Sequence, residues 1–345
     1  MTPAGHQPRT AHLDLLRCAA AVAVVLVHAS GLEWGLAVIG SAGWRNLTLL
    51  DAASRWCVPI FFMLTGALFL PRAAQPSWPS LVRRSLPRLV VAFLFWSLLY
   101  SLFALFLRGE ALAADTIIQS LPVSYYHLWF LPVMIGIYLL LPLLWWVFQN
   151  RPLSRMLIVL WCLAMTLESI AHFDGSGVLQ RLLDQALPPQ LGGYAAFVLL
   201  GGLLATTSHR LDRRWLATAV AVSIGGITAL TLWESLRIAD HVTTWFEYLT
   251  PLVTLGAAAL FLLARSAEPW LQQRPELCQR LRRCGELTFG IYLLHPMVLG
   301  LARQLPMTIP RGALRSILFW LVALAASAAL TWLLRRSRPV ARWLV

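Results

Sequence analysis

The first apolar run, AHLDLLRCAAAVAVVLVHASG from Ala11 to Gly31, is long enough to cross a bilayer as a helix, yet it carries Asp14, Arg17 and His28. An ionisable group at membrane depth costs roughly 2.5–3.5 kcal/mol on insertion scales, so such groups usually mark function. Eleven steps separate Arg17 from His28. At about 100° per residue this is close to three full turns, so both side chains lie on one helix face, about 16 Å apart along the axis. One helix thus presents a cation near one surface and an imidazole near the other. Asp14, three residues before Arg17, is within pairing reach of it. The plain alternative is a snorkelling arginine and a packed histidine.

Composition supports a membrane fold. The chain has 345 residues, 59% of them hydrophobic and 12% charged, about half the charged share of a soluble protein. The net charge of +13 comes from arginine, because the chain has no lysine. The arginines fall in short connections between apolar runs rather than in one patch, so a nucleic-acid partner is not expected. Cys278 and Cys284 lack a second Cys/His pair at zinc spacing, and no metal site is expected. No cleavable signal peptide is expected, since the first run is long and lacks a small-residue cleavage pattern.

The pattern predicts an all-α integral membrane protein, a bundle of about ten transmembrane helices. The spans read as 11–32, 48–70, 84–107, 127–149, 155–172, 191–207, 215–233, 246–264, 286–305 and 313–334. Pro59, Pro132, Pro142, Pro251 and Pro296 fall inside spans and predict kinks. If the N-terminus is cytoplasmic, 19 of the 28 arginines lie in inner segments and five in outer ones. The positive-inside rule therefore predicts both termini in the cytoplasm. The longest connections, 108–126, 173–190 and 265–285, leave no room for a soluble domain, so residues 1–345 read as one transmembrane domain.

With this topology, ionisable groups gather in the outer leaflet. His28 nears the outer end of span one, with Glu33 just beyond. Asp51 and Arg55 stand at i and i+4 in span two. His127 and Trp129 open span four, and Glu168 lies in the outer part of span five. A polar cavity open to the outside would require such a gathering. The alternative is an interfacial belt facing headgroups. On the inner side, Arg83, Arg84 and Arg88 lead into span three, and Arg280, Arg282 and Arg283 lead into span nine, which carries Tyr292 and His295. Clustered arginines can bind phosphate bidentately. They also serve as topology signals and contacts for anionic lipid.

Four segments resemble the membrane acyltransferase 3 family, the bacterial integral-membrane O-acyltransferases of surface glycans. They are LDLLRCAAAVAVVLVH with its Arg-x10-His pair at Arg17 and His28, SRWCVPIFFMLTGALF from Ser54, HLWFLPVMIGIYLLLPLL from His127, and FGIYLLHPMVL from Phe289. They occur in the family's order over most of the chain. Thr65 stands where the family often has serine, and it keeps the hydroxyl. The chain looks most like the subgroup of the enterobacterial common antigen O-acetyltransferase.

The resemblance implies an O-acetyltransferase of the bacterial inner membrane, with no bound cofactor. It would take acetyl-CoA or another acyl-CoA as cytoplasmic donor and a hydroxyl of an envelope polysaccharide or lipid-linked glycan as acceptor, among membrane lipids. His28 is the expected base, and neutral imidazole suits that task near pH 7. Asp51, Arg55 and His127 are further catalytic candidates, Arg55 for the oxyanion. Arg17, Tyr292 and His295 are the donor-side candidates, and Glu33, Trp129 and Glu168 the acceptor-side candidates. A geometric question follows, because the donor is cytoplasmic while His28 is near the outer side. Either the pantetheine arm threads the bundle or a covalent acyl-enzyme carries the group. A membrane exporter or flippase of a glycan is the alternative function, and a glycan sensor a third.

Overall fold

An apolar run that enters a medium without water must satisfy its own backbone, and a helix does so within one segment. The computed structural model follows that rule throughout the residues it describes, 10–72, 78–109, 125–173, 193–209, 211–306 and 308–345. No strand occurs among them. The chain order is α1 (Ala11–Trp34), α2 (Ala42–Ala52), α3 (Cys57–Phe69), α4 (Leu86–Arg108), α5 (Phe130–Gln149), α6 (Arg151–Ala171) and α7 (Gly193–Thr206). There follow α8 (Arg213–Ile238), α9 (Pro251–Ser266), α10 (Glu268–Gln272), α11 (Pro275–Gly285), α12 (Thr288–Ala302), α13 (Ala313–Leu334) and α14 (Arg338–Trp343).

Among the described residues, eight stretches are long and apolar enough to cross a membrane, and α11 with α12 forms a ninth if its 51° bend is counted as one span. The remaining expected span, 191–207, is the apolar but short helix α7. The protein is therefore a multi-pass all-α membrane protein. The outer connections read as 108–126 and 173–190 lie mostly outside the described residues, as do Arg9, Arg181 and Arg210.

Helix starts follow local chemistry. Side chains of Ser41, Asn150, Asp212 and Thr250 accept the amides of Trp44, Leu153, Arg214 and Val253, capping α2, α6, α8 and α9. The prolines divide into two groups. Pro59, Pro132 and Pro251 fall in the first turns of α3, α5 and α9. There the missing N–H removes no helical hydrogen bond, so they start helices rather than kink them. Pro142 and Pro296 alone among these five lie inside helices.

α1 is the axis of the bundle. It touches α2, α3, α9, α10, α11, α12 and α13. The main apolar core joins α1 to α3, α5 and α7 through residues such as Leu16, Val24, Phe62, Met63 and Phe197. α6 sits at the edge and turns Val159, Leu160 and Leu163 outward, as a lipid-facing helix does.

The start of α1 is tied down by α10. Glu268 accepts the backbone amides of Ala11 at 3.2 Å and His12 at 2.7 Å, and its Oε2 lies 2.7 Å from His12 Nδ1. A carboxylate at a helix N-terminus satisfies orphan donors and favours the helix dipole. Burial pushes the Glu268 carboxyl up, but hydrogen bonds from His12, Gln272 and Ala11 outweigh it and hold the carboxyl below its ordinary 4.5. A lowered carboxyl stabilises the fold above its unfolded value and loses that contribution as pH falls through the folded one. Glu268→Gln is therefore expected to cost about 1 kcal/mol at neutral pH. The difference from wild type should shrink as the pH drops below 4.5. Thermal unfolding of the detergent-solubilised protein at several pH values measures both, and an equal midpoint at neutral pH would remove the cap from the account.

Candidate functional site

α1, α3, α5 and α12 enclose a cavity of about 250 Å³ whose lining includes both Arg17 and His28. The face shared by these two residues on α1 is thus the wall of one space. α3 contributes Val58, Phe61, Leu64 and Thr65, and Tyr248 and Trp129 complete the wall near His28. Thr65 spends its hydroxyl on the carbonyl of Phe61 at 3.1 Å. At its Arg17 end the cavity adjoins a wider space of about 680 Å³ that shares Arg17, Tyr138, Thr288 and Phe289 and adds Arg88, Glu286 and Arg335. Arg17 lies 3.5 Å from Asp14. Arg335 is held by Glu286 at 2.9 Å through both its side chain and its carbonyl. Arg88 donates to the carbonyl of Val345 at 3.0 Å.

At the other end three histidines from three parts of the chain converge. His28 stacks on His295 with ring centroids 5.2 Å apart and planes at 25°. His127, in the turn before α5, meets His295 edge-on at 5.7 Å. Tyr126 covers His28 at 4.9 Å. His28, half-buried, and His127, buried, both line the cavity, while His295 is buried behind them. His295 Nδ1 lies 3.0 Å from the carbonyl of Ile291, which can only accept, so in the neutral ring the proton sits on Nδ1 and Nε2 carries the lone pair. His295 Nε2 and both nitrogens of His127 are buried with no hydrogen-bond partner among the described residues. Tyr292 lines the cavity and donates its hydroxyl to the carbonyl of His127 at 2.8 Å, locking α12 to the start of α5. No group of three or more His, Cys, Asp or Glu side chains suited to a metal ion occurs among the described residues.

The remaining candidates divide. Asp51 is fully buried, bonded to Arg55 and 3.4 Å from Ser30 Oγ. Arg55 also donates to the carbonyl of Phe246 at 3.1 Å and lies over the rings of Phe246 and Tyr248 at 4.6 and 5.7 Å. The pair thus backs the cavity wall through Tyr248, and its guanidinium is already engaged. Trp129 is in the wall, stacked on Tyr248 at 6.0 Å and against Tyr194 at 5.4 Å. Glu33 instead faces Arg315 of α13 at 3.5 Å. Glu168 is half-buried on α6, and neither it nor Glu33 is in the lining.

Sequence reasoning missed Tyr248, which lines the cavity. Tyr248 follows a short turn at Thr244–Phe246 and looks in the sequence like any aromatic in a connection. Only the fold brings it opposite Trp129.

The arrangement is an apolar cavity with a cation at one end and imidazoles at the other. It can hold the anionic part of a long substrate at Arg17 and bring its far end to a neutral base at His28. No solved structure matches the chain. An amino-acid racemase of Enterococcus faecalis is 23% identical over 354 residues, covering 96% of this chain and 47% of the racemase. The chain spans about half the length of that relative. A family model described as an acyltransferase domain matches residues 11–336. With a match over nearly its whole length, this chain belongs to the acyltransferase 3 family.

Proposed function

We propose that the protein is an O-acyltransferase that moves an acetyl or other short acyl group from acyl-CoA to a hydroxyl of an envelope polysaccharide or lipid-linked glycan. The single observation that carries this reading is the one cavity lined by both Arg17 and His28 and adjoining the space beside Arg88 and Arg335. In this reading the anionic end of the donor lies among Arg17, Arg88 and Arg335. Its pantetheine arm follows α1 to the histidines, so no covalent carrier is needed. Neutral His28 takes the proton of the acceptor hydroxyl as its oxygen attacks the thioester carbonyl. The carbon–sulfur bond breaks, and the proton passes from His28 to the departing CoA sulfur. Trp129, stacked on Tyr248, offers a flat aromatic face on the acceptor side. The protein works from the bacterial inner membrane, with donor and acceptor on opposite sides of it.

The test is CoA release from acetyl-CoA presented to the cytoplasmic face of inverted native membrane vesicles, which also hold the acceptor. Wild type is expected to release CoA above vesicles lacking the protein. Arg17→Gln removes a charge-assisted contact worth about 1.5–3 kcal/mol, so KM for acetyl-CoA should rise roughly 10- to 100-fold. If wild type releases no CoA with acceptor lipid present, the acyl-transfer reading fails.

A further inference from the structure

Pro296 sits inside α12, one residue after His295. Proline has no N–H to give the carbonyl four residues back, and its ring pushes that carbonyl away, so the turn around it opens. The opened turn is bridged from another helix. Tyr100 of α4, fully buried, donates its hydroxyl to the carbonyl of Leu293 at 2.6 Å and accepts the amide of Met297 at 3.2 Å. In a regular helix Met297 N–H and Leu293 C=O are each other's partners. The phenol oxygen bonds both of these backbone groups, on either side of His295. The Tyr100 ring also stands edge-on to His127 at 4.8 Å and stacks with Tyr125 at 4.5 Å. One side chain therefore touches two of the three places from which the site's imidazoles are set.

We propose that Tyr100 is a positioning residue for the histidine cluster: its hydroxyl holds the opened turn at Pro296 in the one shape that keeps His295 stacked on His28. Tyr100 is absent from the cavity lining and acts through His295 rather than on a substrate. A phenylalanine would fill the same volume but leave Leu293 O and Met297 N–H without their bridge. Two backbone groups, that of Leu293 buried and that of Met297 partly so, would then be free to close on each other or on water, and either response moves His295. A shift of about 1 Å in a catalytic cluster can cost on the order of 100-fold in rate.

The kinetic consequence rests on the acyl-transfer reading, whereas the placement of His295 does not. Full-length protein in detergent, labelled with 15N at its eight histidines, reports ring positions directly once His28→Gln and His295→Gln identify the two signals. Tyr100→Phe is expected to move the His28 and His295 signals and leave that of His172, which is bound to Glu234 at 2.7 Å. In native vesicles Tyr100→Phe should lower kcat for CoA release about 10- to 100-fold with KM for acetyl-CoA unchanged. In a His295→Gln background it should cause no further loss, as expected for residues acting as a unit. Unmoved histidine signals overturn the proposal, and so does a wild-type kcat in Tyr100→Phe when those signals do move. If wild type itself releases no CoA, the acyl-transfer reading falls, and the histidine signals alone decide the role of Tyr100.

Discussion

His28→Ala is expected to lower CoA release from acetyl-CoA by a factor on the order of 10²–10⁴, the usual contribution of a positioned general base. The protein should remain folded. His28 is half-buried on an existing cavity, so its loss enlarges a space that is already there. By contrast, truncating the fully buried His295 would open a hole in packed surroundings. Donor binding should also survive, because Arg17 lies three turns away and keeps its contacts. The expected signature is a fall in kcat with little change in KM for acetyl-CoA. Added imidazole should restore part of the rate, since the vacated volume adjoins the cavity and a free base can enter it. Undiminished release in His28→Ala would transfer the role of base to His127 or His295.

The second large effect is on folding and falls at two glycines. α3 and α7 cross with their backbones in contact. A Cβ placed on Gly66 would come within 1.8 Å of the carbonyl oxygen of Val198, and one on Gly201 within 2.1 Å of the carbonyl oxygen of Met63. Neither neighbour is a side chain that can swing aside. Association of helices in lipid depends on such close approach, because apolar surface alone gives no preference for helix over lipid. Gly66→Val or Gly201→Val should therefore destabilise the protein by more than about 4 kcal/mol, the range of severe core defects. The consequence reaches the cavity, because α3 supplies Val58, Phe61, Leu64 and Thr65 to its wall. Gly136→Ala is the control: its added methyl would meet nothing within 4 Å. Size-exclusion profiles after solubilisation and heating check the series. A monodisperse Gly66→Val protein with wild-type thermal stability would contradict the crossing.

Much of the architecture was legible in the chain because helix pitch and apolar length are local properties. The common face of Arg17 and His28 follows from residue spacing alone, and their shared cavity bears that spacing out. Glu33 shows where local reasoning stops. Sequence order puts it just past His28, but five further residues turn the helix by about 140° relative to His28. It therefore leaves the cavity side and meets Arg315. Glu168 stays outside the lining for a topological reason: α6 packs at the edge of the bundle, and the sequence does not say which spans are peripheral. The shortness of α7 is visible in the length of its apolar run, whereas the bend between α11 and α12 is not, because α11 is arginine-rich and reads as a connection rather than as part of a span. The convergence of His28, His127 and His295 depends on contacts between elements distant in the chain, and no periodicity encodes these. Tyr100 gave no signal, since its hydroxyl meets backbone groups of a different helix beside Pro296.

α1 works as a ruler with a fixed phase. Its ten residues between Arg17 and His28 are free to change in kind wherever packing allows, but their number is constrained. Adding or removing one residue would rotate His28 by about 100° relative to Arg17 and shift it by about 1.5 Å. The imidazole would then leave the cavity that the arginine still guards. Substitutions in this stretch act by degrees, whereas a change in its length disconnects the two ends of the site at once.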